Sequence, residues 1–131
     1  MGCNAMSVQT QIVAFVGQRG YLDGYNDDEL LARQVIKLAE ELGELASTVE
    51  TPDPEIAAFL GALVSTGNQA RRLFKERPKA VTGANVHSVQ AARELADLGV
   101  VLATAAHALT IPDVMQVAHA KALADIRRGV R

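Results

Sequence analysis

The chain of 131 residues is long enough for one domain with a real core and too short for two domains to be expected. Hydrophobic residues make up 49% of it, aromatic residues only 4%, and tryptophan is absent, so the composition favours packed helices over a β-sandwich. A formal net charge of −2, from 13 basic and 15 acidic residues, excludes a general field that would attract nucleic acid or an anionic membrane.

The N-terminal stretch has no secretory pattern, and residues 1–6 are interpreted as a disordered lead or cloning remnant before a single all-α domain over residues 7–131. No run of about 18 apolar residues predicts a membrane span. The one cysteine, Cys3, cannot form an internal disulfide, which fits a cytoplasmic protein. Ser7 is a suitable N-cap for a first helix that reaches about Arg19.

A long second helix is predicted after the glycine-rich loop RGYLDGYND. Asn26 or Asp27 can cap it, and acidic residues in its first turn suit the helix dipole. The helix is expected to run to about Val49, where the prolines of TPDP end it. Apolar residues spaced by three or four predict a stripe that faces the core: Leu31, Val35, Leu38, Leu42, Leu45 and Val49.

Three further helices are predicted over residues 55–77, 89–109 and 113–128, giving a bundle of about four to five helices. The later turns of the 89–109 helix are apolar or small on every side. A small bundle cannot easily bury such a helix all round, so we expect dimerisation to complete the fold.

Three glutamates fall within five residues of the second helix. A rotation of about 100° per residue places Lys37, Glu40, Glu41 and Glu44 in one sector, roughly opposite the apolar stripe. Taken alone, this arrangement is typical of a solvated helix face.

A second acidic pair argues for a ligand. Glu94 and Asp97 are the only acidic residues between Val81 and Pro112, and their neighbours are largely Leu, Val and Ala. Two like charges on a mostly buried helix repel each other and lose hydration, which a cation would offset. Carboxylates from two helices are the hard oxygen ligands that Mg²⁺ or Mn²⁺ prefers.

The two acidic segments, EELGE at residues 40–44 and ELAD at residues 94–97, together resemble the EExxE and ExxD signature of the MazG-like nucleoside triphosphate pyrophosphohydrolases, an all-α NTP pyrophosphatase superfamily. The resemblance covers roughly residues 8–128. It implies an all-α homodimer or homotetramer that holds Mg²⁺ and cleaves an NTP or dNTP between its α- and β-phosphates. The sequence departs from the simplest family pattern in the 49 residues that separate Glu44 from Glu94.

By resemblance, the metal ligands would be Glu41, Glu44, Glu94 and Asp97, and the catalytic pair would be Glu40 and Glu41. Glu40 would be a further ligand or would orient the attacking water.

Three cationic residues are candidate substrate contacts. Lys37 lies one turn before the glutamates and either touches a triphosphate oxygen or pairs with Glu41, and Arg33 lies a further turn back. Lys121 matches a family lysine that faces the phosphates, with a solvent-facing charge as the alternative.

The basic run ARRLFKERPK at residues 70–79 is ordinary charge for a helix C-terminus, so nucleic-acid binding is not predicted from it. A polyanion contact outside the candidate site is the alternative for this run. The competing hypothesis for the whole chain is a helical oligomerisation or interaction module with no catalytic activity.

Overall fold

The computed structural model describes residues 6–129, and over this part of the chain it is all-helical, as predicted. The predicted lead lies outside the described residues except for Met6. Five helices follow one another in the order α1 (Val8–Gln18), α2 (Asp27–Ala46), α3 (Pro54–Glu76), α4 (Ser88–Ala108) and α5 (Val114–Arg127). No helix within residues 6–129 is both long enough and apolar enough to cross a membrane.

Local sequence signals account for most helix ends. Ser7 caps α1 through its side chain, and Asn26 forms a capping box with Glu29 at the start of α2. Asp53 caps α3 and the following Pro54 occupies its first turn. α4 has no such signal, because His87 precedes it without a side-chain cap bond.

The chain divides into two compact units, of which Tyr25–Val86 contains α2 and α3. These helices pack against each other where Gly43 meets Gly67. A Cβ atom built on Gly43 would lie 2.8 Å from the Cα atom of Gly67, so the two backbones touch with no side chain between them. Acidic residues of the first turn of α2 bind the segment after α3. Glu29 accepts a hydrogen bond from the Gly83 amide at 2.8 Å, and Asp28 accepts one from the Val86 amide at 3.2 Å.

The other unit contains α1, α4 and α5. α1 packs on α5, where Gln11 Oε1 lies 2.7 Å from His119 Nε2 and the Phe15 ring meets the His119 ring edge-on. Asp125 of α5 is only 8% exposed. It accepts hydrogen bonds from Lys121 and Arg128, and Arg19 Nη1 lies 3.8 Å from its Oδ2 atom.

The expectation that the apolar stripe of α2 faces the core is wrong within residues 6–129 for all its members except the half-buried Leu31. Leu42 is 49% exposed, and the stripe residues Val35, Leu38, Leu45 and Val49 are exposed as well. The buried positions of α2 are instead Arg33, Glu40, Gly43 and Ala46. Small residues allow the helices to approach more closely than leucines do, so this face packs on α3.

α4 is also exposed along most of its length, with Ala106 its one buried residue. Val100 is 67% exposed, and Leu95, Leu98, Val101 and Leu102 are exposed with it. Within residues 6–129, the apolar surface that the sequence predicts for the later turns of this helix is therefore largely exposed.

Candidate metal and phosphate site on the α2–α3 pair

The three glutamates of the EELGE segment lie together on α2. Glu40, Glu41 and Glu44 each present a carboxylate oxygen, and these atoms all lie within 4.8 Å of one another. The spacing follows from helix geometry, because residues three and four positions apart are neighbours on one side of a helix. Three hard oxygen donors this close fit a divalent cation such as Mg²⁺, although exposed acidic groups also occur together without one.

Glu40 differs from its two neighbours in burial. It is 6% exposed, because its side chain lies on the face of α2 that packs on α3, whereas Glu41 and Glu44 are exposed. The interpretation of the glutamates as a wholly solvated face therefore fails for Glu40. A buried carboxylate needs a partner, and Lys37 supplies one by donating from Nζ to Glu40 Oε1 at 3.1 Å.

The charges around Glu41 do not balance. Its desolvation and the nearby Glu44 carboxylate raise the pKa of Glu41, while Lys37, whose Nζ lies 3.5 Å from Glu41 Oε1, acts in the opposite direction. The one ammonium group pairs with two of the three carboxylates, so the cluster keeps an excess of negative charge. A divalent cation would offset that excess.

Lys37 pairs with Glu40 as well as with Glu41, so the predicted pairing with Glu41 is present. The ammonium also lies 5.0 Å from the centre of the Phe74 ring. Its side chain is 38% exposed and can still contact a ligand held by the carboxylates.

Arg33 takes a structural role in place of the predicted substrate contact. It is 5% exposed, and Nη1 donates to the carbonyl oxygens of Phe74 at 3.3 Å and Pro78 at 3.4 Å. Its guanidinium lies 3.8 Å from the centre of the Phe74 ring and 5.1 Å from that of Tyr25. Arg33 thus binds the C-terminal end of α3. The buried guanidinium is therefore not a substrate contact.

Lys121, the other predicted substrate contact, lies on α5 in the second unit. Its Nζ donates to both carboxylate oxygens of Asp125 at 2.8 Å. The lysine side chain is 67% exposed, so the predicted phosphate contact stays a prediction.

The second acidic pair also lies in that unit. Glu94 and Asp97 are exposed on α4, and neither forms an ion pair within residues 6–129. Within its own chain α4 is largely exposed, and the predicted burial of this helix against a second subunit stays a prediction. The prediction that this pair joins the α2 glutamates around one metal ion stays a prediction.

A cavity of about 220 Å³ lies beside the glutamates, between α2 and α3. Its lining comprises Glu40, Gly43, Glu44, Ser47, Val64, Gly67, Asn68 and Arg71. Asn68 and Arg71 are not among the site residues predicted from the sequence, because their approach to α2 depends on how the two helices pair. A larger hollow of about 300 Å³ at the α2–α3 connection has Glu50 as its only carboxylate.

Comparisons with family models, with curated proteins and with solved structures gave no match to this chain.

Proposed function

We propose that the chain is a Mg²⁺-dependent nucleoside triphosphate pyrophosphohydrolase that adds water across the α,β-anhydride of an NTP or dNTP and releases a nucleoside monophosphate and pyrophosphate. The observation that carries the proposal is the convergence of three carboxylate oxygens within 4.8 Å in the EELGE segment. The ELAD segment adds the second half of the family signature. By the same resemblance, the proposed compartment is the cytoplasm and the proposed role is nucleotide-pool housekeeping.

The proposed roles follow the chemistry of each residue. Glu41 and Glu44 are metal ligands, and by resemblance Glu94 and Asp97 are ligands too. Glu40, buried and held by Lys37, would act as a further ligand or accept a hydrogen bond from the attacking water. Lys37 would contact a phosphate oxygen. When bound, Mg²⁺ or Mn²⁺ would neutralise phosphate charge and acidify its coordinated water.

Self-association is part of the proposal. Several apolar residues are exposed along α2 and along α4. Monomers normally leave such residues on their surfaces singly, not in groups of this kind. A second copy of the chain offers the same apolar faces, as closed symmetry requires. These observations support a homodimer or a homotetramer.

The same exposed faces favour a second candidate, a helical oligomerisation or interaction module without catalytic activity. Under this reading the α2 glutamates serve only as a charged surface beside Lys37. The two candidates differ in whether the carboxylates bind a metal and support turnover, so one set of assays separates them.

The test is incubation of the purified protein with a panel of NTPs and dNTPs, with Mg²⁺ and with EDTA, resolving pyrophosphate from single phosphate. We expect Mg²⁺-dependent release of pyrophosphate and monophosphate. Glu44→Gln should lower the rate at least about a hundredfold, because it removes a ligand of the catalytic ion.

Glu50→Gln is the matched control, since Glu50 is exposed and lies outside the glutamate cluster. It should retain the wild-type rate. No turnover on any nucleotide, together with no effect of Mg²⁺ on the melting temperature, would refute the enzyme and favour the interaction module.

A further inference from the structure

The contact between Gly43 of α2 and Gly67 of α3 brings a polar part of α3 against the carboxylate face of α2. Gly43 and Gly67 touch through their backbones, and the residues that flank them are therefore closer than in an ordinary helix pair. Asn68 follows Gly67 directly, and Arg71 lies one turn further along α3. Both line the cavity of about 220 Å³ that Glu40 and Glu44 also line.

Within the described chain, Arg71 is the one basic residue in the lining of this cavity. Elsewhere on the two helices, Arg33 is held by carbonyl oxygens and Lys37 by glutamates, while Arg72 Nη1 lies 3.8 Å from Glu76 Oε2. Within the described chain Arg71 forms no ion pair, although it borders a cavity with two carboxylates. Its five N–H donors are thus available to a ligand with acceptor oxygens.

The cavity has walls of both charge signs, which indicates the chemistry of its ligand. A carboxylate wall alone selects a cation, and a guanidinium alone selects an anion. A polyphosphate that carries a divalent cation presents both, with the cation toward the glutamates and the phosphate oxygens toward the arginine.

The volume of the cavity limits which part of a nucleotide enters it. Sites that enclose a drug-sized ligand occupy about 300–1,000 Å³, so about 220 Å³ suits a phosphate chain better than a whole nucleotide. The sugar and base would then lie outside this cavity.

We propose that Arg71, assisted by Asn68, forms the phosphate-binding wall of the cavity between α2 and α3, so that α3 binds polyphosphate oxygens while the α2 glutamates bind the accompanying divalent cation. This proposal rests on the proposed function in naming a nucleoside triphosphate as the source of the phosphate chain. Arg71 binds phosphate through a planar fork that matches two oxygens, and the Asn68 amide donates to a third.

The test uses inorganic tripolyphosphate, which has the phosphate chain without a nucleoside. Its affinity is measured by titration calorimetry in the presence of Mg²⁺ for the wild type, Arg71→Gln and Arg71→Lys. Arg72→Gln is the matched control, since Arg72 is the next residue and pairs with Glu76 outside the cavity. Far-UV circular dichroism and thermal melting establish that each variant is folded.

We expect Arg71→Gln to weaken tripolyphosphate binding by at least about tenfold, because charge-assisted bidentate hydrogen bonds are lost. The affinity of Arg71→Lys for tripolyphosphate should lie between those of Arg71→Gln and the wild type, since lysine retains the charge without the planar fork. Arg72→Gln should bind as the wild type does. Equal affinity of the wild type and Arg71→Gln would overturn the proposal, and so would an absence of tripolyphosphate binding to the wild type.

Hydrolysis of nucleoside triphosphates is measured separately on the same samples. Turnover by the wild type with full turnover by Arg71→Gln would leave the proposed function standing and overturn the role of Arg71. Tripolyphosphate binding that depends on Arg71, without hydrolysis of any nucleotide, would support the phosphate-binding wall and refute the pyrophosphohydrolase.

Discussion

Replacing Gly43 by alanine tests the contact that brings α2 and α3 together. The added Cβ would lie 2.8 Å from the Cα atom of Gly67 and 2.9 Å from the carbonyl oxygen of Leu63. Both neighbours are backbone atoms, so a rotamer change cannot relieve the clash and the helices must separate. Overpacking costs about 1–3 kcal/mol, and two backbone clashes place this site at the upper end.

Helix propensity acts in the opposite direction, since alanine is favoured over glycine inside a helix by about 1 kcal/mol. The net expectation for Gly43→Ala is a loss of about 2 kcal/mol in the free energy of unfolding, or a fall of the order of 10 °C in melting temperature. Gly61→Ala is the matched control, because a Cβ there meets nothing within 4 Å. Gly61→Ala should raise the free energy of unfolding by about 0.5–1 kcal/mol.

The assay is urea and thermal unfolding followed by circular dichroism at one protein concentration, because self-association would make the melting temperature depend on concentration. Opposite signs for the two variants would support a backbone-to-backbone crossing. A Gly43→Ala variant at least as stable as the wild type, with the gain present in Gly61→Ala, would refute it.

Three further changes test other parts of the fold. Asn26→Ala removes the capping box of α2 and should cost about 1 kcal/mol in urea unfolding, whereas an unchanged transition midpoint would contradict the role of the cap. Lys121 and Arg128 lower the pKa of Asp125, so this carboxylate stabilises the fold at neutral pH and loses that effect as pH falls through its lowered pKa. In unfolding measured from pH 7 downward, the wild type should be more stable than Asp125→Asn at neutral pH, and the difference should shrink below about pH 4; a constant difference would exclude this linkage. Leu42→Glu places a charge in the exposed stripe of α2 and should shift the protein toward a monomer in light scattering, whereas a wild type that is already monomeric would refute self-association.

The helices could be predicted from the sequence because their ends are encoded locally. Ser7 and Asn26 act as caps within one turn of their own helices, and the prolines of TPDP separate α2 from α3. Each signal depends only on residues nearby in the chain. The number and approximate bounds of the helices therefore agree with the prediction.

The buried face of α2 could not be predicted in the same way. Hydrophobic periodicity selects the leucine stripe, but within this chain the glycine-bearing face packs on α3. Gly67 weakens the helix signal in the sequence, whereas in the structure it permits the closest contact. Two glycines on facing helices were the available sign of that contact, but their pairing required the helix register.

The candidate site could likewise be predicted from the sequence only in part. The grouping of Glu40, Glu41 and Glu44 follows from the helical repeat and is confirmed as a cluster. The burial of Glu40 and the approach of Arg71 depend on α3, which the pattern of α2 does not specify.

The buried guanidinium of Arg33 gives the α2–α3 pair a second point of attachment. It joins α2 to the carbonyl oxygens of Phe74 and Pro78, and it lies ten residues, or about 15 Å, before the crossing at Gly43. Two attachments that far apart prevent one helix from sliding or swivelling along the other. The backbone positions of Arg71 and Glu44 are then fixed relative to each other during folding, so binding at the proposed site would sacrifice little backbone freedom.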